Sequence, residues 1–250
     1  MKWFAFLLLL IASTTARADD LVAGLSQDQI EITSNYTGTD MVVFGAIENT
    51  ANSAGAARDV VVVVRGPSAD MSVRRMARVA GLWINRDEMT LSGMPAYYFV
   101  ASSRPLKDIA SSDTLERYEI GLDHIQPESV STNTPPKARP FLEAAIRERE
   151  KEKLYAEVPQ GVEFLSYSLF RVRVPMPAAV PRGQYTAEVY LFRDGTVISA
   201  QSTPLFVNQS GLERRLHNFA QSSPVSYGLS TVLIAAVMGW LSSLAFRMRL

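Results

Sequence analysis

The sequence predicts a mainly β fold, an immunoglobulin-like β-sandwich ectodomain with a helical insertion, carried by one C-terminal transmembrane helix. Three observations predict it. Short runs rich in β-branched and aromatic residues recur between turn-forming residues, as strands do. A charged, alanine-containing stretch with helical periodicity interrupts them. Near the end, the 22 residues from Val225 to Phe246 contain no charged side chain.

Taken in order, "MKWFAFLLLLIASTTARA" combines Lys2, an apolar run from Phe4 to Ile11 and a small-x-small Ala16-Arg17-Ala18. That is the pattern of a secretory signal peptide over residues 1–18, too short in its apolar part to serve as a spanning anchor. The domain expected to follow covers 19–210. "MVVFGAIE" (41–48), "DVVVVVRGP" (59–67), "VAGLWIN" (79–85) and "AYYFVAS" (96–102) read as its first strands. Val60 to Val64 is unbroken rather than alternating, which predicts a central strand covered on both faces. "NTANSAGAAR" before it reads as a loop.

Residues 105–158 hold the helical insertion. "TLERYEIGLDHI" and "PFLEAAIREREKEKLYAEV" read as two helices, the second with Leu154, Tyr155 and Val158 as an apolar far end. "QPESVSTNTPPKARP" between them reads as a loop. The charged middle of the second helix suits a solvated face supported by i, i+4 pairs worth a few tenths of a kcal/mol each, with a contact surface for a charged partner as the alternative.

After the insertion come a strand ending at Val174, a proline-rich corner and a hairpin turning at Asp194-Gly195. In the first hairpin strand Tyr185, Ala187, Val189 and Leu191 share one face and Gln184, Thr186 and Glu188 the other. Gly183-x-Tyr185-x-Ala187 has the spacing of a tyrosine corner, whose hydroxyl bonds back to upstream backbone. An ordinary strand tyrosine is the other reading.

"GLERRLHNFAQSSP" (211–224) forms a juxtamembrane amphipathic segment, able to lie on a bilayer or pack under the domain. The expected spanning helix at 225–246 would be roughly 33 Å long at about 1.5 Å per residue, against a hydrocarbon core about 30 Å thick. Arg247 and Arg249 then mark the cytoplasmic side of the 247–250 tail. All 25 acidic residues of the chain lie between the signal peptide and this helix, while Lys2, Arg17, Arg247 and Arg249 lie outside, so the ectodomain is net negative. This gives no support to nucleic-acid binding. With no cysteine there is neither a disulfide framework nor thiol chemistry.

Chemistry-bearing motifs are scarce. The two histidines, His124 and His217, have no histidine or cysteine nearby, and no nucleophile elbow or phosphate-loop spacing occurs. No catalytic residue, metal site or cofactor is expected. Two features point to recognition instead. Arg74, Arg75, Arg78 and Arg86 surround Trp83, and in a hairpin alternate arginines would share a face with the tryptophan and hold an anion or an acidic partner. A charged edge strand that blocks aggregation explains them equally. In the spanning helix Thr231, Ala235, Gly239 and Ser243 recur every four residues with Gly228 nearly in line, as helix-packing positions do.

"NYTGTDMVVFGAIE", "RDVVVVVRGP", "GLWIN" and "VASSRPL", with the signal peptide and terminal helix, resemble the transmembrane protein family of alphaproteobacteria. The likeness covers nearly the whole chain. It implies a bacterial inner-membrane protein, carries no catalytic residue across, and hints at an accessory to a sulfite-exporter-like permease. The expectation is a single-pass inner-membrane protein with a periplasmic β-sandwich that binds or stabilises a membrane partner. That partner is membrane lipid together with another integral membrane protein or a second copy of the helix. The alternative is an anchored periplasmic domain that binds or hydrolyses a small ligand.

Overall fold

Val60 to Val64 are completely buried, and the molecule is organised around the strand that contains them. A computed structural model describes residues 21–33, 36–48, 58–79, 81–132, 138–209 and 220–247. The expected signal peptide, most of the 49–58 loop and most of the juxtamembrane segment lie outside those residues. The chain divides into a larger unit, residues 1–30 and 37–207, and a smaller one, 31–36 and 208–250.

The larger unit is mainly β. Its first sheet joins β1 (Leu21–Leu25), β3 (Gly38–Ile47), β11 (Leu169–Pro177) and β10 (Val162–Phe164) in that order, all antiparallel. Met41, Val43 and Ile47 of β3 and Phe170, Val172, Val174 and Met176 of β11 are buried on alternate positions, so one face of this sheet meets the core. Gly45 is required there. A Cβ on it would sit 2.5 Å from the Phe170 ring and 2.8 Å from the Val22 carbonyl oxygen.

The second sheet runs β2 (Gln29–Ile32), β13 (Thr196–Gln209), β12 (Gly183–Arg193), β4 (Arg58–Arg65), β7 (Tyr98–Ser102), β9 (Tyr155–Pro159). Its position between β12 and β7 explains the five buried valines of β4. Val60, Val62 and Val64 pair with Leu191, Val189 and Ala187 on one face, while Val61 and Val63 share the other with Tyr190 and Glu188. The two sheets are tied together by polar contacts as well as by the core. The Tyr97 hydroxyl donates to the Pro175 carbonyl at 2.6 Å, and the Gln201 side chain bonds both backbone groups of Ala23.

The expected hairpin is present as β12 and β13, turning at Asp194-Gly195, both at positive φ. Tyr185 is buried and its hydroxyl donates to the Pro181 carbonyl four residues upstream, the bond that defines a tyrosine corner. At one edge of the second sheet β7 and β9 pair in parallel, Tyr98 opposite Tyr155. A parallel pair needs a long crossover, and residues 103–154 supply it.

That crossover contains α1 (Leu106–Ile109), α2 (Ser112–Arg117), a 3-10 turn (Leu122–His124), β8 (Ser129–Thr132) and α3 (Arg139–Lys151). Four expectations are corrected. The first helix, read over 114–125, ends at Arg117, and the 3-10 turn after it is separate. The second helix ends at Lys151, and Leu154, Tyr155 and Val158 belong to the turn and the parallel strand after it rather than to an apolar helical end. The stretch read as a loop contains β8. "VAGLWIN" is not one strand: β5 (Ser68–Val79) stops at Val79 and β6 (Leu82–Pro95) starts at Leu82, so those residues form the end of a hairpin. β5, β6 and β8 make a third, three-stranded sheet.

The smaller unit contains α4 (Pro224–Arg247), a 24-residue apolar helix. It contains the predicted spanning segment and starts at Pro224, a residue suited to the first helical turn.

Candidate functional site

Three places bear on function: α4, the β5–β6 hairpin and a cleft beside the helical insertion. At about 1.5 Å per residue α4 is roughly 36 Å long. Within Pro224–Ser242, the stretch long and apolar enough to cross a membrane, no residue is buried. Leu229, Val232, Leu233, Met238 and Trp240 are each more than half exposed. Such an apolar surface suits lipid, and the helix satisfies its own backbone there. The Thr231 hydroxyl donates within its own helix, to the Tyr227 and Gly228 carbonyls at 2.9 Å. Its hydrogen is therefore already engaged, so its value at a helix contact is small size and acceptor capacity. A Cβ added at Gly228 or Gly239 would meet nothing within 4 Å. Neither glycine is demanded by packing within the described structure. Ala235 lies on the same stripe, and the Ser243 side chain falls outside the described residues.

The hairpin separates the residues singled out in it, of which the Arg86 side chain lies outside the described ones. Arg74 pairs with Glu88 at 3.2 Å, and Glu88 also accepts from Ser72 at 2.7 Å. Those two contacts hold the Glu88 carboxyl below the usual carboxylate range. Arg75 is engaged through Nε and NH2 by the buried Asp87, at 2.9 and 2.5 Å, and its guanidinium lies 5.8 Å from the centre of the Phe141 ring of α3. Arg74 and Arg75 thus fasten the base of the hairpin. Arg78 lies further out, directly opposite Trp83. Around them Met76, Leu82, Trp83 and Ile84 are 62, 70, 67 and 45 % exposed. Sequence reasoning named Trp83 but not the other three: Leu82 and Ile84 fell inside the run 79–85 read as a single strand, and Met76 just before it. The available signal was Gly81, at φ +88°, interrupting that run.

The cleft has a volume of about 500 Å³ and lies beside the helical insertion. Lys107, Ser111, Asp123, His124 and Glu157 contribute polar groups to it, and Leu106 and Leu115 apolar ones. Oε2 of Glu157 accepts from the Leu122 amide at 3.2 Å. His124 lines this cleft; His217 lies outside the described residues. No group of three or more potential metal ligands occurs among the described residues.

The insertion is held to the sheet by a buried tyrosine. The Tyr98 hydroxyl donates to the Glu119 carbonyl at 2.8 Å and accepts from the Gly121 amide at 2.9 Å. Burial pushes its ionisation far above the ordinary phenol range, so it stays a neutral donor. Beside it, Arg65 donates to the Tyr118 and Glu119 carbonyls and pairs with Glu188, which also accepts from the Tyr190 hydroxyl. Every member of this network has a partner within the fold.

Residues 20–248 match the model of the family described as "Putative transmembrane protein (Alph_Pro_TM)". The chain belongs to this family. The match takes in both the β-rich unit and the exposed apolar helix. A search of curated proteins returns no match.

Proposed function

We propose that this member of the transmembrane family is a single-pass protein of the bacterial inner membrane. Its β-rich domain is exported to the periplasm behind a cleaved signal peptide, and it binds or steadies an integral membrane partner without catalysing a reaction. The observation that carries this reading is α4: it exposes apolar side chains from Val225 to Leu241 and presents Gly228 and Gly239 with nothing against them. A second helix can approach such glycines closely, and close backbone approach is what drives helix association in lipid. Partners consistent with this are a second copy of α4 or a helix of a permease of the sulfite-exporter kind.

The test is crosslinking of the full-length protein in its own membrane, followed by affinity capture in mild detergent. One dominant membrane protein, or a crosslinked dimer, is expected, and Gly239→Leu is expected to reduce that yield at least about tenfold, a loss of about 1.4 kcal/mol of association. Unchanged capture by Gly239→Leu would remove the helix contact from the proposal.

A second reading, an anchored domain that binds or hydrolyses a small ligand, draws on the cleft with Lys107, Asp123, His124 and Glu157. It predicts a thermal shift of the detergent-solubilised full-length protein with some charged small molecule. A ligand at a hundred times its Kd adds about 2.7 kcal/mol of stability.

A further inference from the structure

The far end of the β5–β6 hairpin exposes large apolar side chains on both of its faces. Cross-strand pairing puts Arg78 opposite Trp83, and alternation adds Met76 to that face, while Leu82 and Ile84 occupy the other. β8 pairs with β6 only over Met89 to Ser92, so beyond Met89 the ribbon is two-stranded. A two-stranded ribbon is marginal in water, and exposing apolar residues on both faces adds to that cost.

The charges here are one-sided. The nearest acidic residues, Asp87 and Glu88, lie at the base and are taken up there by Arg75 and Arg74 directly opposite them. From Met76 to Arg86, "MARVAGLWINR", there is no acidic residue and there are two arginines. A groove on a protein would cover one face of a ribbon. A bilayer surface covers both faces of its end at once. Tryptophan beside arginine also suits the boundary where hydrocarbon gives way to phosphate. The complementary surface is anionic lipid, to which basic side chains are drawn from within a Debye length. The same chain carries α4, reached from β13 through residues 210–223, so a membrane is held at high effective concentration.

We propose that the adjoining ends of β5 and β6 form a second membrane contact, in which Leu82, Trp83, Ile84 and Met76 enter the head-group region of an anionic bilayer and Arg78 engages lipid phosphate. The occupant is lipid rather than protein. This contact is separate from the partner recognition proposed for α4.

The protein has no cysteine, so a single introduced one can be labelled without background. Full-length Leu82→Cys, and Lys107→Cys as an exposed control on the helical insertion, would each carry an environment-sensitive fluorophore. Each would be reconstituted into vesicles of phosphatidylcholine with phosphatidylglycerol, or of phosphatidylcholine alone. In the anionic vesicles the label at position 82 is expected to emit at shorter wavelength and lose most of its intensity to nitroxide-bearing lipid, while the label at 107 does neither. Arg78→Glu in the Leu82→Cys background is expected to reverse the shift.

A water-like emission at 82 in anionic vesicles, with no quenching, would overturn the proposal and leave a protein as the occupant. Equal shifts in both vesicle types would overturn the assignment to anionic lipid. Only this chain and lipid are present, so absence of a protein partner can neither produce nor abolish the signal.

Discussion

Tyr98 shows how one side chain decides whether the helical insertion stays on the sheet. Its hydroxyl is both donor and acceptor, to two backbone groups of the turn that follows α2. Tyr98→Phe leaves the Gly121 amide buried without its acceptor, and such a loss costs about 1–3 kcal/mol. The expected result is a lower midpoint of chemical unfolding for the full-length protein in detergent, with β content retained. Asp59 offers a second test through pH. Burial alone would raise its ionisation, but hydrogen bonds from Arg104 and Ser103 and the Arg104 charge outweigh burial and hold it below the ordinary value. A carboxyl depressed in the folded state stabilises above its unfolded pKa, near about 3.9, and loses that contribution as pH falls through the folded value. Asp59→Asn should therefore cost about 1–3 kcal/mol at neutral pH. The gap to the unmodified protein should begin to narrow below about pH 4, where Asp59 is protonated first in the unfolded chain, and close as pH falls through the lower folded value. A gap constant from pH 7 to pH 3 would show that charge plays no part.

At the scale of elements, the end of α3 explains one misreading and supplies a prediction. Apolar and charged periodicity ran on past Lys151, and no glycine or proline marks a stop before Pro159. The helix stops anyway, by a Schellman motif with Lys153 in the left-handed position at φ +59°. Leu154 N–H bonds the Arg149 carbonyl at 2.9 Å and Lys153 N–H the Glu150 carbonyl at 3.0 Å, while Leu154 turns into the core. Lysine supplies no signal for that turn, so it was not legible. Glycine adopts the conformation without strain, and Lys153→Gly should stabilise by roughly 0.5–1 kcal/mol despite the added freedom of the unfolded chain. An unchanged or lowered unfolding midpoint would contradict this. The β12–β13 hairpin was legible because Asp194-Gly195 announces its turn and Tyr185 alternates with Ala187 and Val189. The hairpin of β5 and β6 was raised only as a condition for grouping its arginines with Trp83, because apolar residues on both sides of Ala80-Gly81 read as one continuous strand. Pattern reading assumes that apolar residues seek a core, and it fails where they remain exposed.

For the whole molecule, the open matter is which side of the membrane each part occupies, and charge sets the expectation. The chain carries every acidic residue between the signal peptide and α4, while Arg247 and Arg249 follow the apolar run. Basic residues beside a spanning helix are held on the cytoplasmic side, whereas acidic residues contribute little to orientation. Arg247 and Arg249 follow the apolar run at once, whereas Arg214 and Arg215 stand ten and nine residues before Pro224, so export of the β-rich domain with the closer basic pair retained is the arrangement the rule favours. Two single-cysteine proteins measure this directly. Lys107→Cys should react with a membrane-impermeant maleimide in intact spheroplasts, and Leu250→Cys should react only after the membrane is opened. Reversing both charges, Arg247→Glu with Arg249→Glu, should weaken this difference, since it removes the basic residues nearest the helix without touching the domain. Labelling of Leu250→Cys before Lys107→Cys in closed spheroplasts would place the β-rich domain inside the cell, and the periplasmic assignment would fall with it. The family membership and the apolar helix would stand unchanged, because neither depends on orientation.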